Sequence, residues 1–327
     1  MDSEQEKKID DLELVRFNFM TMLFTPLKEH SSLSSNQIIL KIVEAIRFQR
    51  SQNNIIIFDR FKNRKNEPSR QLYINHNSYE PLERRLKFSM ALIRSGKQPL
   101  LKPTGSIDLV PFDKNIGEFT DVTHFFIDMK RPTAVVCVEF NDNGPRMTDI
   151  EYYFRAMSTE YLHLSKSLAA GMMLESNIDE TINGLAGVFD FDIKIESKKY
   201  SEMDNDAKGF LSEWGTLLTK LQPEFIRIEA FFQRKGKKAN KPSTNSGMLT
   251  GLKHILKKLD KPNNSDAFDK FVINFQDASG DVKKFDLFNT KSEISIPINL
   301  NQTIKPSAVY ELVKVHFDTF LNDRYNA

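Results

Sequence analysis

The chain has 327 residues, with 46 Lys and Arg against 44 Asp and Glu and a formal net charge of +2. Apolar residues make up 40% and Gly and Pro number 13 each, which excludes collagen-like, low-complexity and wholly disordered chains. A single cysteine excludes a disulfide framework or a multi-cysteine zinc site and suits a reducing cytosol. No apolar run approaches the roughly 20 residues of a membrane span, and the charged opening MDSEQEKKIDDLEL is unlike a secretory leader. A cytoplasmic protein without membrane insertion is the expectation.

Apolar spacing predicts the elements in order. Leu14 to Leu23 alternates as a strand, and Ile38, Ile39, Ile42, Val43 and Ile46 share one helical face behind Ser35 as N-cap. Asn54 to Phe61 and Gln71 to Ile74 are expected as strands of a hairpin whose tip, Lys62 to Ser69, is basic. A helix is predicted from Pro81 to Arg94, with proline in its first turn. Val122 to Asp128 and Thr133 to Phe140 follow as strands around Met129-Lys130-Arg131-Pro132. The unbroken apolar run Ala134 to Val138 marks a central strand covered on both faces. After the turn Asn141 to Pro145, Thr148 is the expected N-cap of a helix with Asp149 and Glu151 in its first turn, and a further helix is expected from Ser158 to Leu174.

Val188 to Lys198 alternates most regularly, with Phe189, Phe191, Ile193 and Ile195 on one face and Asp190, Asp192, Lys194, Glu196 and Lys198 on the other. Then come a helix from Phe210 to Leu221, a strand from Phe225 to Gln233, a basic loop and a helix from Met248 to Leu259. Three short strands follow, Phe271–Phe275, Lys283–Phe288 and Glu293–Ile298, the first two turning at Ser279-Gly280, and a helix from Val309 to Leu321 closes the chain. Hairpins mixed with helices imply an α+β fold with largely antiparallel sheets. Two domains are expected, 1–175 with the basic hairpin and 176–327 with the basic loop and helix, because apolar periodicity weakens between Ala169 and Asn183; a boundary between Tyr200 and Asp206 is the alternative.

Carboxylates and lysines at i, i+2 spacing can hold a divalent ion and orient water, which makes Asp190, Asp192, Glu196 and Lys198 candidates for nuclease or phosphoesterase chemistry. A strand that merely faces solvent shows the same alternation. Glu139 and Asp142 stand at the carboxyl end of the central strand, a common site position, with Arg146 near the next helix start where an anion binds. Cys137 lies inside that apolar strand as a small hydrophobe. The six histidines are scattered without metal-ligand spacing, and no P-loop, dinucleotide fingerprint or serine elbow occurs, so no metal and no cofactor is implied.

Charge is segregated along the chain. Lys41 to Lys102 holds fourteen cations and five acids, and Arg227 to Lys261 holds ten and two, so the two windows carry +17 and the remainder −15. Arg60, Lys62, Arg64, Lys65 and Arg70 surround Phe58, Phe61 and Tyr73, and Arg234, Lys235, Lys237, Lys238, Lys241, Lys253 and Lys257 form the second group. Cations interleaved with aromatics suit a nucleic-acid backbone, DNA or RNA. Amino-acid usage rich in Lys, Asn, Ile and Phe resembles that of AT-rich bacterial genomes, whose accessory proteins include components of phage defence. The expectation is a nucleic-acid-associated binding protein of such a system. A metal-dependent nuclease and a self-assembling interaction protein, whose partner is a second copy or another protein, are the alternatives.

Overall fold

The computed structural model describes residues 12–64, 67–95, 100–101, 104–105, 110–111, 117–173, 178–212, 215, 220–221, 223–232, 246–259, 261–265, 267–287, 292–299 and 305–325. Its first nine strands are β1 (Glu13–Pro26), β2 (Phe58–Asp59), β3 (Gln71–Glu80), β4 (Arg85–Ile93), β5 (Leu100–Leu101), β6 (Val110–Pro111), β7 (Thr120–Asp128), β8 (Ala134–Glu139) and β9 (Ser165–Met172). The others are β10 (Gly187–Glu196), β11 (Phe225–Phe231), β12 (Phe268–Gln276), β13 (Val282–Asp286) and β14 (Glu293–Ile298). The principal helices are α1 (Ser35–Ser51), α2 (Met147–Ala156), α3 (Ile178–Gly184), α4 (Ser246–Leu256) and α5 (Pro306–Tyr325). The fold is α+β, and every strand pair with a described register is antiparallel.

Contacts divide the chain into two units, Met1–Ala170 with Glu293–Ala327, and Gly171–Ser292. The carboxy-terminal strand β14 and helix α5 thus belong with the first unit, where a single cut of the sequence near residue 175 assigns them downstream.

The first unit is a sheet in the order β14-β1-β8-β7-β4-β3-β2, with β9 also on β1. All six residues of β8 are buried, as expected of a strand between β1 and β7 with both faces covered. On one face Phe154 of α2 meets Phe88 and Phe125 edge-on at 5.7 and 6.1 Å. On the other, α5 places Tyr310 5.2 Å from Phe126 and Phe320 3.7 Å from Phe19. α1 buries Ile38, Ile39, Ile42, Val43 and Ile46 as its spacing requires, each worth about 1.5–3 kcal/mol on burial. Its N-cap is Ser34, one residue before the expected Ser35; Ser34 Oγ accepts the Gln37 N–H, and the Gln37 side chain accepts the Ser34 N–H.

Two predicted helices are strands. The segment expected as a helix from Pro81 to Arg94 is a turn at 81–84 followed by β4. Leu86, Phe88, Met90 and Leu92 point to one face, while Arg85 and Lys87 lie buried on the other and meet α5. The segment expected as a helix from Ser158 is a π-helical turn, Met157–Tyr161, followed by β9. The expected strand Asn54 to Phe61 shrinks to β2, and β3 runs on to Glu80. α2 is capped at Arg146 rather than Thr148, because the Asp149 carboxylate accepts the Arg146 N–H at 2.8 Å.

The second unit is the sheet β11-β10-β12-β13 with one face on helices. Phe191, Ile193 and Ile195 of β10 pack with Leu252, Ile255 and Leu256 of α4 and with Phe271 and Phe275 of β12. Half of the predicted helix 210–221 is described, and those residues, 210–212, 215 and 220–221, are helical. β12 and β13 pair across the expected turn, where Gly280 takes φ 93°, a conformation glycine adopts without a Cβ clash.

Candidate functional site

The basic hairpin is organised from within. Asp59 accepts the N–H groups of Phe61 and Arg70 at 2.9 and 3.0 Å and the Ser69 hydroxyl at 2.8 Å, which closes the loop between β2 and β3. Partial burial raises the Asp59 pKa, but these donors outweigh it and hold the carboxyl below 3.8. Arg64 lies over the Phe61 ring at 4.5 Å and pairs with Glu67 at 2.9 Å. Arg70 grips Asp149 with two nitrogens, at 2.9 and 2.6 Å, while Arg60 reaches Asp149 at 2.8 Å and the Thr148 hydroxyl at 2.9 Å. Asp149 is wholly buried. Burial raises its pKa, yet the Arg70 hydrogen bonds and the charges of Arg70 and Arg60 prevail and keep it well below the usual carboxylate range. Two arginines expected to face a ligand therefore anchor the hairpin to the first turn of α2. The same carboxylate fills the helix N-terminus that the sequence offers to an anion near Arg146, whose guanidinium turns back to the Asp142 carbonyl at 3.3 Å. Beside the hairpin lies an open cleft of about 250 Å³, lined by Phe61, Pro68, Ser69, Arg70 and Asn143 and by the Arg94–Asp121 pair. Lys62 is exposed, and Lys65 lies outside the described residues.

Other cations of the first window also meet acids contributed from outside it. Arg85, 1% exposed, lies 3.4 Å from Asp128 and 2.7 Å from Asp318, and Lys87 lies 3.5 Å from Glu311. Arg94 holds Asp121 through two nitrogens at 2.5 and 2.8 Å. Much of the +9 in the sequence is counter-charge for the rest of the unit.

A different group of cations stays open. Arg50 is exposed in the last turn of α1, and Lys305 is exposed at the start of α5. Both act on His76 of β3: partial burial lowers its pKa below 6.5, and the charges of Arg50 and Lys305 lower it further. Arg47, one turn before Arg50, donates to Asn77 at 2.9 Å. Among the described residues no carboxylate pairs with Arg50 or Lys305.

Glu139 does not point out of the strand end. Its Oε2 accepts the His124 backbone N–H at 2.8 Å and faces His124 Nδ1 at 2.7 Å, so Nδ1 carries the proton. Both side chains are 8% exposed. His124 in turn lies opposite Ser89 of β4, whose buried Oγ has no hydrogen-bond partner among the described residues. Asp142 is exposed in the following turn and does not join Glu139. The pairing with His124 escaped the sequence reading: a hairpin folded at 129–132 sets residue 124 opposite 137, whereas the observed register pairs Asp128 with Val135 and so brings 124 opposite 139.

On β10 the polar face is an ion-pair ladder. Asp192 takes two bonds from Arg227 at 2.9 and 2.8 Å and a third from Lys270; hydrogen bonding to Arg227 is the main cause of its lowered pKa. Asp190 accepts from Asn274 at 2.5 Å, Lys194 pairs with Asp269 at 3.2 Å, and Glu196 pairs with Lys199 at 2.6 Å. Lys198 falls in the helical turn Ser197–Tyr200, beyond the strand. Among the described residues no group of three or more His, Cys, Asp or Glu could hold a metal ion. In the second window, Lys257 is exposed just past α4 and Lys253 is half-buried on it, while Arg234, Lys235, Lys237, Lys238 and Lys241 lie outside the described residues. Cys137 is buried, and desolvation raises its thiol pKa well above 9.0, which leaves it unreactive. No helix among the described residues is long and apolar enough to cross a membrane. Neither protein-family models nor curated proteins match the chain.

Proposed function

We propose that the protein is a nucleic-acid-associated binding protein, and that its first unit engages phosphate through Arg50 and Lys305, with Arg47 and His76 beside them. The supporting observation is that Arg50 of α1 and Lys305 beside α5 both act on His76 of β3 and that, among the described residues, no carboxylate pairs with either, whereas Arg60, Arg70, Arg85 and Arg94 are each held by at least one. Uncompensated cations at one place favour a polyanion by releasing its condensed counterions. Lys62, Lys65, Lys253, Lys257 and the 234–241 segment are the further contributors in this reading. The alternative of a metal-dependent nuclease has less support, because the carboxylates of β10 are occupied by Arg227, Lys270 and Lys199.

Fluorescence anisotropy with labelled single- and double-stranded DNA and RNA, across a salt series, tests the proposal. Arg50→Glu with Lys305→Glu is expected to weaken binding at least about tenfold and to lower the salt slope by about two. Absence of binding to any of these at about 20 mM salt refutes it.

A further inference from the structure

The sheet of the second unit ends in two unlike edges. β13 carries Lys283 and Lys284 side by side, the kind of charge that keeps an edge strand from pairing. β11 is guarded less: it holds no proline and no lysine, its two charges, Arg227 and Glu229, are of opposite sign and pair with each other at 2.6 Å, and it pairs with β10 from Asp190↔Phe231 to Glu196↔Phe225 without a bulge. Phe231 is 78% exposed there, an unusual place for a large apolar ring.

The backbone directions of β11 follow from its two ends. Phe232 N–H donates to Phe189 C=O, and Glu224 C=O accepts from Ser197 N–H. In an antiparallel ladder alternate residues bond the same neighbour, so Ile226, Ile228 and Ala230 also turn their peptide groups to β10. Phe225, Arg227, Glu229 and Phe231 therefore present theirs outward, where no described strand pairs with them.

The sequence of that edge, Phe-Ile-Arg-Ile-Glu-Ala-Phe, is complementary to its own reverse. A second copy laid antiparallel with Ile228 on the two-fold axis sets Arg227 opposite Glu229, Phe225 opposite Phe231 and Ile226 opposite Ala230. The register also suits the backbone. The pairs 227–229 and 225–231 join the outward-pointing residues, so each exchanges two hydrogen bonds, while Ile228 meets its own copy at a non-bonded position. A shift by one residue breaks both matches. The side chains sort as well: Arg227 and Glu229 stand about half exposed on the polar face, and Ile228 and Ala230 continue the apolar face against the core.

We propose that β11 is the pairing edge of a two-fold homodimer, in which two four-stranded sheets join into one through this self-complementary strand. The occupant is a second copy of this chain because both the charges and the aromatic rings match their own reverse. The proposal is independent of nucleic-acid binding.

Sedimentation velocity and light scattering over a concentration series test it, with circular dichroism as the check on folding. The wild-type chain is expected to show a monomer–dimer equilibrium. Glu229→Arg sets arginine against arginine at two symmetric places, and Arg227→Glu sets glutamate against glutamate; each is expected to weaken self-association by about tenfold or more. Mixed together, the two variants regain opposite charges at both places and are expected to dimerise with each other. Glu229→Pro removes an outward N–H but no bond to β10, and is expected to give a folded monomer. A wild-type chain that stays monomeric up to about 200 µM overturns the proposal, as do charge variants that dimerise as the wild type does or fail to associate when mixed.

Discussion

Removing the Asp149 carboxylate isolates the contact that holds the basic hairpin. Asp149 is fully buried, and its partners Arg60 and Arg70 are 10% and 24% exposed. Deleting one member of a buried ion pair costs about 3–5 kcal/mol, because the remaining charge loses both its partner and its water. Arg60 keeps the Thr148 hydroxyl, and Arg70 sits close enough to solvent to turn outward, so the low end, about 3 kcal/mol, is expected for Asp149→Ala. In a unit of about 200 residues this lowers the melting temperature by about 6–12 °C in calorimetry. Asp149→Asn keeps the shape and one acceptor and is expected to lose less. The pH dependence gives a second readout. The folded carboxyl titrates below its unfolded value of 3.8, so its stabilisation is complete above that value and drains away as pH falls below it. The gap between wild type and Asp149→Asn should therefore be constant from pH 7 to about 5 and narrow as pH falls below about 4. An Asp149→Ala protein that melts with the wild type, or a gap that widens in acid, refutes the reasoning.

Two further substitutions probe the sheet of the first unit. Glu139→Leu strips the acceptor from the buried His124 ring and backbone N–H, and is expected to cost about 1–3 kcal/mol in urea unfolding, where Asp142→Ala in the exposed turn costs almost nothing. Gly144→Ala would place a Cβ 2.6 Å from Thr123 Oγ1 and 2.7 Å from Asn141 Nδ2, so the turn that leads into α2 must shift. A loss of about 1–3 kcal/mol is expected, and an unchanged midpoint would show that the turn yields freely.

Local pattern carried most of the fold. α1 was legible because five aliphatics share one face, although its cap was placed one residue late, and β10 because its alternation matches a sheet with one face on helices. β4 was misread although Leu86, Phe88, Met90 and Leu92 alternate strictly. Pro81 imitates a helix start, and Arg85 and Lys87 look like a solvent face until α5, more than 200 residues later, supplies Asp318 and Glu311. β9 holds Leu, Ala and Met, good helix formers, and becomes a strand only by pairing with β1. The candidate sites were less legible for the same reason. A window sum treats Arg60 and Arg70 as free, yet their carboxylate is 89 and 79 residues away.

Local charge counts thus do not separate paired cations from open ones, and His76 offers a way to test the group at Arg50 and Lys305. Three influences lower its pKa: partial burial first, then the charges of Arg50 and Lys305. They separate experimentally, because salt screens the charges and leaves burial untouched. Raising sodium chloride from about 20 to 500 mM should move the imidazole pKa upward, as followed by NMR of the ring protons. Arg50→Ala and Lys305→Ala should each do the same at low salt. Bound phosphate acts in the same direction, since an anion beside the ring favours imidazolium, so a short oligonucleotide should raise the His76 pKa. The linkage runs both ways, so oligonucleotide affinity should strengthen as pH falls through the His76 pKa and the ring adds a cation to Arg50 and Lys305. If the oligonucleotide binds while the His76 titration stays fixed, phosphate is held elsewhere on the chain and the assignment to Arg50 and Lys305 is wrong.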